Sequence, residues 1–256
     1  MHIDSGRAQM RMDLVHGGRL ASLKVDGREL LVTASDDPRG WGCYLMAPWA
    51  GRVRAGQFTW KEQPVQLPVN CGPHSIHGTV LQRQWSVEEN SVVSSLLGPD
   101  WPWAGTVRSR LALSSDQLLW TVEVSALEEP FPVVVGWHPW FRRELSPGVV
   151  LQHDVQAKAM YVRDAAGIPT GAVSAPTAGP WDDCFRALVA NPTLTWSDGF
   201  TVEVASTCDH WVVYDEPAHA VCIEPQSGPP DAFNLGGFDV ASPGQPVVHS
   251  MTLRWR

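Results

Sequence analysis

Thr193 Leu194 Thr195 Trp196 Ser197 Asp198 Gly199 Phe200 Thr201 Val202 Glu203 Val204 sets two half-polar runs of β-favouring residues on either side of a Ser-Asp-Gly turn. Alternation at period two turns one face of each run toward a core and the other toward water, and a glycine accepts the positive φ that a tight reversal demands. The stretch reads as an antiparallel hairpin. Asp26 Gly27 predicts a second within 20–32, and Ser114 Ser115 Asp116 a third. Further short runs rich in Val, Thr and Trp lie at 57–60, 85–89, 106–113, 118–125, 132–136, 211–214 and 247–255. No repeat and no helix of three turns stands out. The chain is expected to be a single all-β antiparallel domain over 1–256, a sandwich or barrel with few or no long helices, and 167–180 is expected to be a long surface loop.

Composition agrees with this reading. The 22 glycines and 21 prolines exceed the average share, and charged residues are only 18% of the chain. Both disfavour helix-rich architectures. A net charge of −8 with no basic run argues against a nucleic-acid partner, whose affinity rests on clustered Lys and Arg. The five cysteines are odd in number, widely spaced and never paired as C-x-x-C, which predicts reduced thiols and a cytoplasmic setting rather than a disulfide framework. Residues 1–20 carry charges throughout with no apolar core, and no run approaches the ~20 apolar residues of a membrane span.

The chemistry concentrates in three segments. Ile223 Glu224 Pro225 Gln226 Ser227 Gly228 Pro229 Pro230 Asp231 Ala232 Phe233 Asn234 puts one carboxylate at the end of an apolar run, before residues that suit neither helix nor regular strand. A carboxylate in such a run is costly unless paired or functional. His74 Ser75 Ile76 His77 Gly78 and Gly136 Trp137 His138 Pro139 Trp140 Phe141 add imidazoles, and a carboxylate with imidazoles is equipment for proton transfer near neutral pH. Pro139 is expected to hold His138 in extended backbone at the end of a strand. Thirteen tryptophans include Trp49, Trp137, Trp140 and Trp181 beside these loops, where an aromatic face can stack on a pyranose or simply fill a core. His2, His74 and His219 take the ordinary structural reading. Cys71, His74 and His77 fall at i, i+3 and i+6, a spacing that fits neither a strand face nor a closed zinc site, so no metal is expected.

Five segments in order resemble the aldose 1-epimerase (galactose mutarotase) family: Ala47 Pro48 Trp49 Ala50 Gly51 Arg52 Val53, the His77 segment, the His138 segment, Pro180 Trp181 Asp182 Asp183 Cys184 Phe185, and Glu224 Pro225 Gln226 with Pro230 Asp231 Ala232 Phe233 Asn234. The resemblance runs from about Gly18 to the C-terminus. It implies an antiparallel β-supersandwich of the galactose mutarotase type, a sugar cleft across one sheet, and neither metal nor organic cofactor. It further implies that Glu224 is the general base at the anomeric hydroxyl and His138 the general acid at the ring oxygen. Of the remaining residues, Arg52, His77, Asp182 and Trp140 bind the sugar and Gln226 orients Glu224. Free Glu and His titrate near about 4.3 and 6.5, so the site is expected to hold His138 charged and Glu224 ionised, on opposite sides of the hemiacetal.

The expected partner is a small sugar, with no nucleic acid and no membrane, in a monomer or homodimer. The leading activity is anomer interconversion of a free aldose. A hexose-6-phosphate 1-epimerase would need a basic pocket, for which Arg52, Arg142 and Arg143 are the local candidates. A non-catalytic carbohydrate-binding or sensor module is the third reading.

Overall fold

The computed structural model describes residues 1–89 and 91–256. Two large antiparallel sheets dominate it, of eleven and eight strands among the described residues, with a one-turn helix at Ala232–Leu235 and two short 3-10 turns. The fold is an antiparallel β-supersandwich, as expected. Both sheets contribute to one contiguous apolar core, in which Trp85, Trp120, Trp137 and Trp196 are wholly buried. No helix is long and apolar enough to cross a membrane among the described residues.

All three expected hairpins form. Asp26 and Gly27 both take positive φ (49° and 79°), the two-residue turn whose twist suits flanking antiparallel strands. Thr193 pairs with Glu203 and Thr195 with Thr201 across Gly199, which has φ 90°. Leu113 pairs with Leu118 around the Ser-Ser-Asp turn, opening the longest ladder of the eight-stranded sheet.

The eleven-stranded sheet departs more from expectation. Its centre runs, side by side, Arg19–Val25, Cys43–Met46, Gly136–Arg142, Ala220–Gln226, His210–Tyr214, Asp182–Leu188 and Ala157–Arg163. The run expected at 132–136 is a short strand, Phe131–Val133, followed by the separate strand Gly136–Arg142. Pro139 therefore sits inside a central strand, not at its end. The expected 167–180 loop contains an edge strand, Pro169–Ser174, paired with Ala157–Arg163. Pro225 and Gln226 continue the Glu224 strand, and Ala232–Leu235 is helical, so Glu224 is delivered by a strand rather than by a loop. Cys43–Met46, Gly136–Arg142 and Ala220–Gln226 are buried on both faces and lack the alternation that reveals a half-exposed strand.

Candidate active site

Register builds the floor of the site. Tyr44 pairs with His138; the ladder that pairs Gly136 with Gln226 and Trp140 with Cys222 sets His138 opposite Glu224; Glu224 pairs with Val212, and Val212 with Cys184. One row thus crosses five strands as Cys184, Val212, Glu224, His138, Tyr44. Because alternate residues share a face, Trp140, Gln226, Asp182 and Tyr214 face the same way. All of these line one cavity of about 550 Å³. His138 and Glu224 are each followed by a proline, which restrains both to the extended backbone this register requires.

His138 Nε2 lies 3.2 Å from Glu224 Oε1, and Gln226 Nε2 donates to Glu224 Oε2 at 3.2 Å. Glu224 is 2% and His138 5% exposed. Burial, and next the negative charge of Asp182, push the Glu224 carboxyl well above the usual range. Burial pulls His138 down to about 3, with Arg19 and Arg39 acting in the same sense. Both directions favour the neutral pair, a carboxylic acid donating to Nε2, over the ionic one; the two forms hold the same number of protons. This departs from the expectation of a charged His138 beside an ionised Glu224, because burial withdraws water from both groups and favours their uncharged forms. Nor do the two stand on opposite sides of a gap. They are neighbours on adjacent strands, in direct contact.

Arg52 and His77 come from a small ladder at the rim, in which Arg52 pairs with Ile76 and Val53 with Ser75. His77 holds φ 63°, an unusual conformation for a non-glycine residue, and its amide donates to Gly51 O at 3.1 Å. Its ring meets His138 edge-on at 5.2 Å and its Nδ1 has no partner among the described residues. Burial, His138 and Arg52 keep it well below the ordinary imidazole range, hence neutral. Gly51 (φ 66°) packs against Pro230, where an added Cβ would come within 2.7 Å. Asp231 then fastens the rim: its amide donates to Arg52 O at 2.7 Å, and its carboxylate accepts from the amide of Arg54 (2.9 Å) and from Asn234 Nδ2 (2.7 Å).

Asp182 lines the cavity between Arg52 (3.7 Å) and Arg163 (3.6 Å), and burial raises its carboxyl. Asp183 faces away and is held by Arg163 Nε at 2.7 Å. Trp140 stacks on His138 with ring centres 5.3 Å apart, whereas Trp49 and Trp137 are core. His219, expected to be structural, stands on the cavity wall and stacks on Trp140. His74 Nδ1 accepts the amide of Ala55. Cys71, His74 and His77 do not gather as ligands; His138, Cys222 and Glu224 do lie within 4.8 Å of one another, but there Nε2 and Oε1 engage each other.

The arginines divide differently from expectation. Arg143 donates to the backbone carbonyls of Pro217 and Asp215, and Arg142 lines a separate depression, so neither serves the cavity. Arg39 and Arg163, which the sequence did not single out, do line it, as do Tyr44, Tyr214 and Glu216. Arg39 forms a fork with Asp37 at 3.1 and 3.0 Å.

The aldose 1-epimerase family model matches residues 13–254. The uncharacterized protein YphB of Escherichia coli is 25% identical over 253 residues, covering 83% of this chain and 83% of that protein. A galactose mutarotase-like protein from Clostridium acetobutylicum superposes with a TM-score of 0.87 at 18% identity, over 100% of this chain and 94% of that one. The GalM/aldose epimerase homologue from C. elegans does so with 0.82 at 16%, over 100% and 98%.

Proposed function

The chain belongs to the aldose 1-epimerase family, and from that premise we propose that it interconverts the α and β anomers of a free aldose of the glucose or galactose kind. The observation that carries this reading is the contact between His138 and Glu224 at 3.2 Å on the floor of a cavity of about 550 Å³. A buried acid-base pair is expensive in a purely structural role, which weighs against a non-catalytic sugar-binding module.

In this mechanism the sugar stacks on Trp140 and places its anomeric hydroxyl at Glu224 and its ring oxygen at His138. Hydroxyl donors on the carboxylate favour its ionised form, so the shared proton moves to Nε2 as the substrate binds. Glu224 then removes the proton of the anomeric hydroxyl while His138 protonates the ring oxygen. The C1–O5 bond breaks, leaving an aldehyde, a C5 hydroxyl, a carboxylic acid and a neutral imidazole. Rotation about C1–C2 presents the other carbonyl face, and the same transfers in reverse close the ring as the opposite anomer. The protonation state of the open-chain complex is that of the resting pair, so the neutral pair needs no outside proton. Neutral His77 can donate from one nitrogen and accept at the other, Arg52 offers donors, and Asp182 accepts, which suits the remaining hydroxyls. Gln226 fixes Glu224.

The phosphate-bearing alternative is less well supported. Three guanidiniums reach the cavity, but Arg39 faces Asp37, Arg52 faces Asp182, and Arg163 faces Asp182 and Asp183. A 6-phosphate would have to displace these carboxylates, whereas an uncharged sugar leaves them in place. Polarimetry on freshly dissolved aldoses and their 6-phosphates tests the reading: faster decay to equilibrium for a free aldose, with the 6-phosphates turned over less well, is expected. Decay at the uncatalysed rate for every sugar, unchanged by Glu224→Gln, would end it.

A further inference from the structure

His138 belongs to a stacked column that runs from the cavity back into the protein. Its ring stacks on Trp140 and also on Tyr44, where the centres are 4.8 Å apart and the planes 26° from parallel. Behind Tyr44 lies Arg19, its guanidinium carbon 5.3 Å from the Tyr44 ring centre and 4.2 Å from that of Trp41. Arg19 is 1% exposed, yet its N–H groups donate to three backbone carbonyls, of His16 (2.8 Å), Trp41 (3.1 Å) and Leu81 (3.2 Å), and it has no carboxylate at ion-pair distance among the described residues. A guanidinium does not deprotonate in a protein, so a whole positive charge is held in a poorly solvated place without a counter-ion.

The other groups around His138 do not share that property. Glu224 touches it, His77 meets it edge-on and is neutral, and Cys222 and Cys43 are buried thiols whose burial opposes ionisation. Across the cavity Arg39 and Arg52 face Asp37 and Asp182. Asp13, near Arg19 in sequence, accepts from the amides of Val15 and His16 and from the His16 ring instead.

We propose that Arg19 is a positioning residue for the proton chemistry: its uncompensated charge, set behind Tyr44, disfavours protonated His138 and keeps the shared proton on Glu224 until a sugar draws it across. This rests on the assignment of His138 and Glu224 as the acid-base pair. The guanidinium carbon lies within about 10 Å of the His138 ring centre, and a unit charge at that separation moves a titration by about one pH unit at an effective dielectric near 20. A rival account makes Arg19 a fastener of three backbone segments, with no influence on the imidazole.

The two accounts separate by NMR titration of the His138 imidazole in the unmodified protein, in Arg19→Gln, in Arg19→Lys and in Trp41→Glu. The last leaves the Arg19 backbone bonds in place and sets a carboxylate against the guanidinium from a half-buried position. The expected result is a rise of about one pH unit in the midpoint for Arg19→Gln and Trp41→Glu, with Arg19→Lys close to the unmodified protein. An unchanged midpoint in Trp41→Glu, or an equal rise in Arg19→Lys, overturns the proposal; should Arg19→Gln fail to fold, Trp41→Glu decides the matter. The titration is read without turnover, so a protein inactive on every aldose would sink the mutarotase reading while leaving this test intact.

Discussion

The amide of Asp231 donates to the carbonyl of Arg52 at 2.7 Å, so the segment that follows Glu224 clamps the loop whose guanidinium lines the cavity. Asp231 itself is 2% exposed and sits at φ 64°, a conformation that Asn tolerates better than most residues. Asp231→Ala removes the acceptor for the Arg54 amide and is expected to cost about 1–3 kcal/mol of stability. Arg52 is then less firmly placed, so KM should rise more than kcat falls. Asp231→Asn keeps an acceptor and should restore most of both. Urea denaturation and steady-state polarimetry check the pair, and equal kinetics in all three proteins would refute the clamp.

Glu224→Gln keeps the shape of the side chain and loses the proton exchange. A fall in kcat of about 10²- to 10⁴-fold is expected, the usual worth of general acid-base catalysis, with sugar affinity nearly unchanged. Calorimetric titration with the sugar, alongside polarimetry, separates the two effects. Loss of binding together with turnover would make Glu224 a binding residue instead.

Asp182→Asn tests the electrostatic coupling across the floor. The charge of Asp182 raises the Glu224 carboxyl, second only to burial. Neutralising it lets Glu224 ionise at lower pH, so the alkaline limb of the kcat/KM profile, which reports loss of the pair's single shared proton, is expected to move down by up to about one unit. A limb that stays in place or moves up contradicts this.

Stability should depend on pH in a predictable way through the same pair. Folded Glu224 is raised above its ordinary value of 4.5, and folded His138 is lowered from 6.5 to about 3. Between pH 3 and 4.5 the unfolded chain binds more protons, because its histidine is charged, so stability rises with pH. Between 4.5 and 6.5 the unfolded pair, Glu⁻ and HisH⁺, holds as many protons as the folded neutral pair, and the contribution is flat. Above 6.5 the unfolded pair holds fewer, and stability falls as pH rises until folded Glu224 ionises. Thermal melts across pH should therefore show Glu224→Gln keeping a constant offset from the unmodified protein below about pH 4.5 and gaining on it progressively above that value, where the unfolded carboxyl ionises and the folded one does not. A gain already present at pH 4 would count against a neutral resting pair.

The residues read along the chain suffice for the all-β class, all three hairpins and the chemical types that the cavity carries. Turn residues such as Asp26 Gly27 and Ser197 Asp198 Gly199 act locally, and half-exposed strands such as Gln117–Ala126 carry their alternation on their face. Glu224 stood out because a carboxylate in an apolar run needs a reason, and His77 and His138 because their motifs resemble a known family. Tertiary structure alone decided the strands that bear the site. Cys43–Met46, Gly136–Arg142 and Ala220–Gln226 are buried on both faces, so no polar residue marks every second position and period-two reasoning has nothing to read. Tyr44, Arg39 and Arg163 were missed for that reason or because an exposed-looking arginine carries no local sign of its target. Long-range packing also sets the charge of His138 and Glu224. Local chemistry gives the ordinary titration of a carboxyl and an imidazole, but the register that sets His138 beside Glu224, the burial that excludes water from both and the guanidinium of Arg19 behind Tyr44 come from segments far apart in the chain. Desolvation and Coulomb forces act through space, and only the folded chain fixes those distances.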